Sequence, residues 1–467
     1  MTRSGDKSGV DKLSFWLETC DDDLTPRPPL DGDLTVDVAI LGGGFSGLWT
    51  AYHLLKQQPD LEIAIIEAEV CGYGASGRNG AWCSPRFPVD AHALIGRFGT
   101  AVARDTLTAL QRTVVEIGEI CEAEGIDAHY RNTGLLGLAR SEAQVAGLAS
   151  TLAIYEQLGL ASDMRMLSAD EAYERVHATK IHAGLLSGTG ATIHPGRLVR
   201  KLARTVERQG ATIFEGTPAT DVTTGADAAI VTERGRVRAR RVVVAAGEAY
   251  LTRLPQYRRA LLPMSSMIIL SEPLSEAQWQ EIGWQNGESL SSLVHTKNYL
   301  TRTADGRILY GSRGAPYAFG SRMSEQAVRD EASFAWMRGC VREWWPVLED
   351  VKFTHAWGGY LGVPRDWMPT VSFDPASKSA QLGGYTGRGV STSALSAKLL
   401  AGLILDRPTG LEGLPLHRSH PPSWEPEPFR WMGVRYVQNA FTRIDEAERA
   451  GRRRPIDASL AESLGDQ

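Results

Sequence analysis

Gly42, Gly44 and Gly47, spaced Gly-x-Gly-x-x-Gly, and Glu67 about twenty residues further on are residue types that can hold a dinucleotide through the backbone and one carboxylate. Gly42 lets the chain turn tightly off a strand, Gly44 lets the main chain approach a pyrophosphate, and Gly47 lets the next helix pack closely. Phe45 and Ser46 open that helix, whose free N–H groups and positive dipole end suit phosphates. Glu67, with Ala68 beside it, stands where a carboxylate accepts both hydroxyls of an adenosine ribose. The same charge repels a 2′-phosphate, so the pattern favours FAD or NAD over NADP.

These residues need a strand–helix–strand unit to position them. The apolar run Val36–Leu41 suits a buried parallel strand, a helix-like run follows the glycines, and Ile63–Ile66 suits a second strand ending at Glu67.

At 467 residues the chain exceeds one small core, which predicts two domains or a nucleotide domain with a large insertion. A net charge of -5 is too small to imply a nucleic-acid or anionic-membrane partner. No segment has the apolar length that spans a bilayer, and Met1 to Lys7 lacks the apolar core of a signal peptide, so the cytoplasm is the expected location. Cys20, Cys71, Cys83, Cys121 and Cys340 are scattered with no Cys-x-x-Cys pair. They read as buried free thiols, not as a disulfide framework or a metal site.

Residues 1–35 read as an arm with little regular structure, stiffened by Pro26, Pro28 and Pro29 and either anchored by Phe15 and Trp16 or mobile. A second glycine-rich stretch, Gly72 to Trp82, follows Glu67. So many small residues disfavour a core but suit a backbone passing close to a flat ligand. Gly74-Ala75-Ser76-Gly77-Arg78-Asn79-Gly80, preceded upstream by Phe15-Trp16-Leu17 and Arg27-Pro28-Pro29-Leu30, resembles the FAD-dependent D-amino-acid-oxidase superfamily, in its γ-glutamylputrescine oxidoreductase-like branch. The resemblance implies that this backbone, on through Ala81 and Trp82, and the Ser76 and Arg78 side chains hold the pyrophosphate and the isoalloxazine edge.

The strand ending in Ala246-Gly247 resembles a third flavin motif. Trp357-Gly358-Gly359-Tyr360 and then Gly384, Tyr385, Thr386, Gly387, Arg388, Gly389 and Val390 resemble the C-terminal one, a glycine-rich turn opening a helix over Ser393–Leu405. Two glycine-rich helix starts, one for each end of an extended dinucleotide, favour FAD over NAD. The implied fold is α/β (α+β overall): a Rossmann-like FAD-binding domain from residues 36–90, 189–250 and 355–410, with an inserted substrate-binding domain of antiparallel sheet plus helices from 91–188 and 251–354. Residues 411–467 form a tail of no assigned role. Leu107, Leu110, Val114, Ile117 and Cys121 read as the core-facing stripe of a helix, and Tyr130–Leu138, Met264–Leu270, Asn298–Thr303 and Arg307–Gly311 as strands.

Sarcosine-oxidase-like members attach flavin through a cysteine just before the segment matching Tyr360, and dimethylglycine-dehydrogenase-like members through a histidine in the second glycine motif. Trp357, Gly358, Gly359 and Arg78 to Trp82 stand there instead, so the FAD is expected to be non-covalent. The implied reaction oxidises the C–N bond of a small amine or amino acid, such as a polyamine, an N-methyl amino acid or an aminophosphonate. Hydride passes to flavin N5, the imine hydrolyses to an aldehyde or keto acid, and O2 reoxidises the flavin with release of H2O2. An amine entering as the free base carries its own electron push, so no acid–base dyad is required. The expected walls are Trp82, Tyr360 and Tyr385 on the flavin side and Tyr299, Arg313 and Tyr317 from the insertion. Arg313 reads equally as a clamp for a substrate anion or as a solvated arginine. His194 reads as a structural hydrogen-bonding residue and Lys297 as exposed. Two alternatives stay open: a dehydrogenase serving another electron carrier, and a flavin-binding protein without turnover.

Overall fold

The computed structural model describes residues 9–419 and 421–465. The expected first strand runs Leu34–Leu41, flanked in parallel by Ile63–Ile66 and by the long strand Gly235–Ala246. It is apolar throughout because it serves two cores. Val38 and Ile40 pack beneath the helices Phe45–Gln57, Pro195–Arg208 and Gly389–Leu405, while Val36 and Ala39 join Ala64, Ile66, Ile230 and Val237 on the opposite face. An irregularity between Val36 and Val38 turns Val36 to that second face. The long strand splits its other edge: residues 235–238 pair antiparallel with Ala229–Thr232, and residues 243–246 pair parallel with Ser379–Gly383. The sheet has eight strands in all.

A second eight-stranded sheet runs in the order Phe353–Val363, Leu262–Ser271, Ile308–Arg313, Asn298–Arg302, Ser289–Ser292, Leu135–Ala139, Ala183–Ser187 and Met164–Leu167. Its pairs are antiparallel except that Ser289–Ser292 runs parallel to Leu135–Ala139. Alternation along Leu262–Ser271 separates its two surfaces. Met267 and Ile269 meet the helix Glu331–Trp344 in a core with Trp284, Trp344 and Trp345. Ile268 and Leu270 meet Phe15, Trp16, Ala81 and Trp357 on the surface that faces the second glycine motif. Each fully buried aliphatic side chain there contributes about 1.5–3 kcal/mol. Trp82–Cys83, Ala191–Thr192 and Arg131–Asn132 form a three-stranded seam.

Several stretches sit otherwise than expected. The stripe from Leu107 to Cys121 lies on the helix Ala91–Ala123, kinked at Gly99 with φ 82°, and packs into the core of the first sheet although it precedes the second sheet's strands. The strand Phe353–Val363, expected with the nucleotide segments, pairs in the second sheet. The arm is more regular than its prolines suggest: Ser14 caps a short helix, Phe15–Glu18, and Phe15 and Trp16 are buried anchors. The helix expected from Ser393 starts earlier, at Gly389. The tail forms two helices, Phe429–Arg449 and Ala458–Gly465. All five cysteines are buried and unpaired. Among the described residues no helix is long and apolar enough to cross a membrane.

Candidate active site

The glycine motifs meet through main-chain atoms. Gly42 has φ 108°, and a Cβ there would stand 2.2 Å from the carbonyl oxygen of Ala246. A Cβ on Gly47 would stand 2.0 Å from the oxygen of Gly42, and one on Gly383 2.1 Å from that of Gly247. Only glycine allows these approaches, so the first, third and C-terminal motifs close on one another. The second motif joins through Ser76, whose Oγ accepts from the Phe45 N–H at 2.9 Å. Ser46 Oγ lies 3.0 Å from the Tyr385 hydroxyl, which ties the two glycine-rich helix starts together.

At both helix starts the capping position supplies no side-chain bond: Gly44 precedes Phe45–Gln57 and Arg388 precedes Gly389–Leu405. Asp90, Ser168, His194, Ser275 and Asp330 cap other helices with their side chains. The Ser46 and Gly47 N–H groups have no intrahelical partner and stand as anion donors. Buried hydroxyls of Thr386 and Thr392 have no partner beside the second start. Glu67 accepts from the Gly43 N–H at 2.7 Å and the Glu69 N–H at 3.0 Å, with further lone pairs left for ribose hydroxyls. Burial outweighs these bonds and pushes its carboxyl up to about 7. These residues fit FAD: the first helix start and Glu67 would hold its adenosine diphosphate half, and the second start its flavin end.

Side chains of the second motif also brace its own loop. Arg78 pairs with Glu325 at 2.9 Å, donates through Nε to the Tyr73 carbonyl at 2.8 Å and lies over the Tyr73 ring, so its guanidinium braces the loop, while its buried Nη2 keeps a donor with no protein partner. Asn79 also turns inward, bonding Ala75 O, Ser76 O and the Ala81 N–H. Ala81 takes a left-handed φ of 68°. The arm supports this loop from behind, with Ser14 Oγ donating to Gly77 O at 2.6 Å and Trp16 Nε1 to Asn79 O at 2.8 Å.

The wall above the motif belongs to the second sheet. Tyr299 seats its ring on Gly80 and Gly311, where added Cβ atoms would stand 2.2 and 1.9 Å from it, so both glycines make room for an aromatic. Its hydroxyl lies 2.9 Å from Ser266 Oγ, and burial pushes the phenol up to about 12, leaving it neutral. Trp82 packs edge-on against Tyr299 and donates to Leu300 O. A Cβ on Gly359 would meet Arg78 at 3.4 Å, on this same surface. Tyr360, the next residue, is turned to the opposite face by the strand's alternation. There it packs with Ala249 and Val328 and engages both main-chain polar groups of Ser324, so it is removed from the wall. Tyr317 clusters with Leu262 and Val363, and its hydroxyl reaches Ser321 and Glu427. Arg313 ends the strand Ile308–Arg313, and its side chain lies outside the described residues. Tyr385 is buried between the helix starts, and burial beside Arg86 pushes Arg388 down to about 10. His194 caps its helix by accepting from the Arg197 N–H through Nδ1, and its Nε2 lies 3.0 Å from Thr19 Oγ1.

Sequence reasoning missed Glu248. Its Oε1 accepts from the Gly384 and Tyr385 N–H groups at 3.0 and 2.9 Å, and its Oε2 from that of Gly362 at 2.5 Å. One buried carboxylate thus joins the third motif, the C-terminal turn and the wall strand, and burial pushes it up to about 7. The available signal was a charged residue directly after the apolar strand ending in Ala246-Gly247. The tail was missed as well: Trp424 Nε1 donates to Val363 O at 2.7 Å, which ties it to the wall strand.

A parallel strand–helix–strand unit, a second glycine motif beside it and an antiparallel sheet facing both define a flavin-dependent oxidoreductase architecture. The family model for FAD dependent oxidoreductases matches residues 37–403, and the chain belongs to that family. It is 28% identical over 386 residues to γ-glutamylputrescine oxidoreductase of Escherichia coli K12, covering 81% of this chain and 86% of that protein. It is 29% identical over 427 residues to the probable oxidoreductase OrdL of Rhizobium meliloti, covering 85% and 89%. Among solved structures, glycine oxidase from Geobacillus kaustophilus superposes with a TM-score of 0.66 at 20% identity, over 83% of this chain and 99% of that one. L-Proline dehydrogenase from P. horikoshii gives 0.65 at 19% identity, over 83% and 96%. These two likenesses establish the shared fold.

Proposed function

We propose that this protein oxidises the C–N bond of a small amine or amino acid, using non-covalently bound FAD and O2 as electron acceptor. Bound FAD supplies the hydride acceptor. The observation that carries the reading is the aromatic wall, Trp82 and Tyr299, seated directly on the second glycine motif. Such a wall holds the substrate C–H against the flavin and excludes water. The neutral Tyr299 hydroxyl is bonded to Ser266, so this side chain brings no charge to the wall. The uncapped start of Gly389–Leu405 offers a positive helix end that would stabilise negative charge on a reduced flavin. The likeness to γ-glutamylputrescine oxidoreductase supports an amine as substrate, and the buried free thiols support a cytoplasmic location.

Anaerobic addition of polyamines, N-methyl amino acids, amino acids and aminophosphonates to the yellow protein tests the proposal. At least one class bleaches the flavin, and readmitted air restores the colour with stoichiometric peroxide. Bleaching without peroxide would reassign the protein as a dehydrogenase, and no bleaching by any class would sink the amine reading.

A further inference from the structure

A cavity of about 220 Å³ opens between the N-terminal arm, the turn from Thr301 to Asp305 and the segment Thr192–Arg197. None of its lining residues belongs to a glycine motif. Phe15, Trp16 and Ile193 make its apolar side, and Arg131, Arg197 and Arg302 its polar side. Arg131 donates to the Arg302 carbonyl at 3.1 Å and has no carboxylate in ion-pair range among the described residues. Arg302 lies over the Trp279 ring at 4.0 Å and donates to the Trp284 carbonyl, likewise without a carboxylate. Arg197 pairs with Asp127 at 2.6 Å, but its buried Nε has no partner. Asp305, the acid on the rim, is taken up by Arg307 at 2.6 Å. The cavity therefore carries net positive charge and an unused buried donor beside an apolar floor. An inorganic anion would leave that floor in contact with water, whereas a carboxylate on a short carbon chain covers it and meets a guanidinium.

Each wall of the cavity also bonds one residue of the second glycine motif or its continuation. Trp16 Nε1 donates to Asn79 O at 2.8 Å, Thr301 Oγ1 to Gly80 O at 2.8 Å and the Ile193 N–H to Ala81 O at 3.0 Å. We infer that this cavity binds a small carboxylate-bearing molecule and, by clamping its three walls, steadies Asn79–Ala81 and so the flavin cradle. The coupling rests on the assignment of that motif to FAD, while the binding does not.

The test is calorimetric titration of the full-length FAD-loaded protein with propionate, succinate and inorganic phosphate, together with the temperature at which flavin fluorescence is released. Carboxylates bind and raise the release temperature. Arg131→Ala weakens succinate binding about tenfold, the loss expected for one charge-assisted contact. Arg131 is exposed and makes a single bond, so the fold tolerates the change, and Arg131→Lys recovers part of the affinity. Thr301→Val keeps succinate binding but reduces the rise in release temperature. Absence of carboxylate binding, unchanged affinity in Arg131→Ala, or phosphate binding as tightly as succinate overturns the site. Displacement of succinate by an amine that bleaches the flavin would assign the ligand to the substrate pocket and overturn a separate site. A rise in release temperature unaffected by Thr301→Val overturns the coupling.

Discussion

In the cradle, Gly42 lies against the carbonyl of Ala246 and Gly383 against that of Gly247, main chain on main chain. In the wall above it, Trp82 and Tyr299 come from distant segments and meet edge-on through their rings, with the Trp82 ring N–H donating to Leu300 O. The contrast shows where substitution is tolerated. A main-chain contact admits no side chain, so glycine is the single solution at each position. A side-chain wall can be rebuilt from other aromatic and aliphatic residues of similar volume, so its chemistry can change while the cradle stays as it is.

The largest expected effect comes from placing a methyl group inside the cradle. Gly42→Ala forces a Cβ to within 2.2 Å of the Ala246 carbonyl at a φ of 108°. The change destabilises the fold by at least about 3 kcal/mol and gives colourless protein. Flavin absorbance per chain and denaturant unfolding measure both. Stoichiometric FAD in the variant would break the distinction between cradle and wall. Glu248 lies where the two regions join, and its loss ranks next. Glu248→Ala leaves three buried N–H groups without an acceptor and costs about 2–3 kcal/mol, with weakened FAD retention. Glu248→Gln keeps an oxygen for Gly384 and Tyr385, and loses mainly the bond to Gly362. Its flavin content should therefore lie between those of wild type and Glu248→Ala. Equal losses in both variants would show that charge, and not the hydrogen-bond pattern, holds the junction.

Legibility in the sequence follows the same division. Gly42, Gly47 and Gly74 to Gly80 could be read because a backbone approach leaves its mark at fixed spacing along one segment. Both sheets could be read in part from apolar alternation, as in Leu262–Ser271. Tyr360 was misplaced because a one-residue shift along a strand reverses the face, and no pattern around Gly358-Gly359 reveals which face turns inward. The brace that Arg78 makes with Glu325 was not legible because Glu325 lies hundreds of residues away in the chain. Glu248 and the tail share that difficulty, since their partners are main-chain groups and side chains brought close only by folding.

The smallest effect concerns the outer support of the wall, where side chains alone make the contact. His295 lies between the C-terminal helices, with Nδ1 3.2 Å from Asp445 and Nε2 2.9 Å from Glu462; Asp445 also accepts from the His295 and Thr296 N–H groups at 2.9 and 2.6 Å. Bonding to Asp445 holds the imidazole above its usual 6.5. A histidine raised in the folded state contributes stability fully present below 6.5 and lost as pH rises through its folded value. Asp445 and Glu462 are held below their usual 3.8 and 4.5, so their contributions are present above those values and lost as pH falls. The latch is therefore strongest between about 4.5 and 6.5 and weakens on the alkaline side as the imidazole loses its proton. Amide exchange in Phe429–Arg449, corrected for intrinsic rates, should be faster at about pH 9 than at about pH 6, by a stability difference of about 1 kcal/mol. His295→Asn, uncharged throughout, should remove that difference while leaving flavin content unchanged. A pH dependence that survives in His295→Asn would assign it to another group. Loss of flavin in the same variant would show that the tail acts on the cradle as well as on the wall.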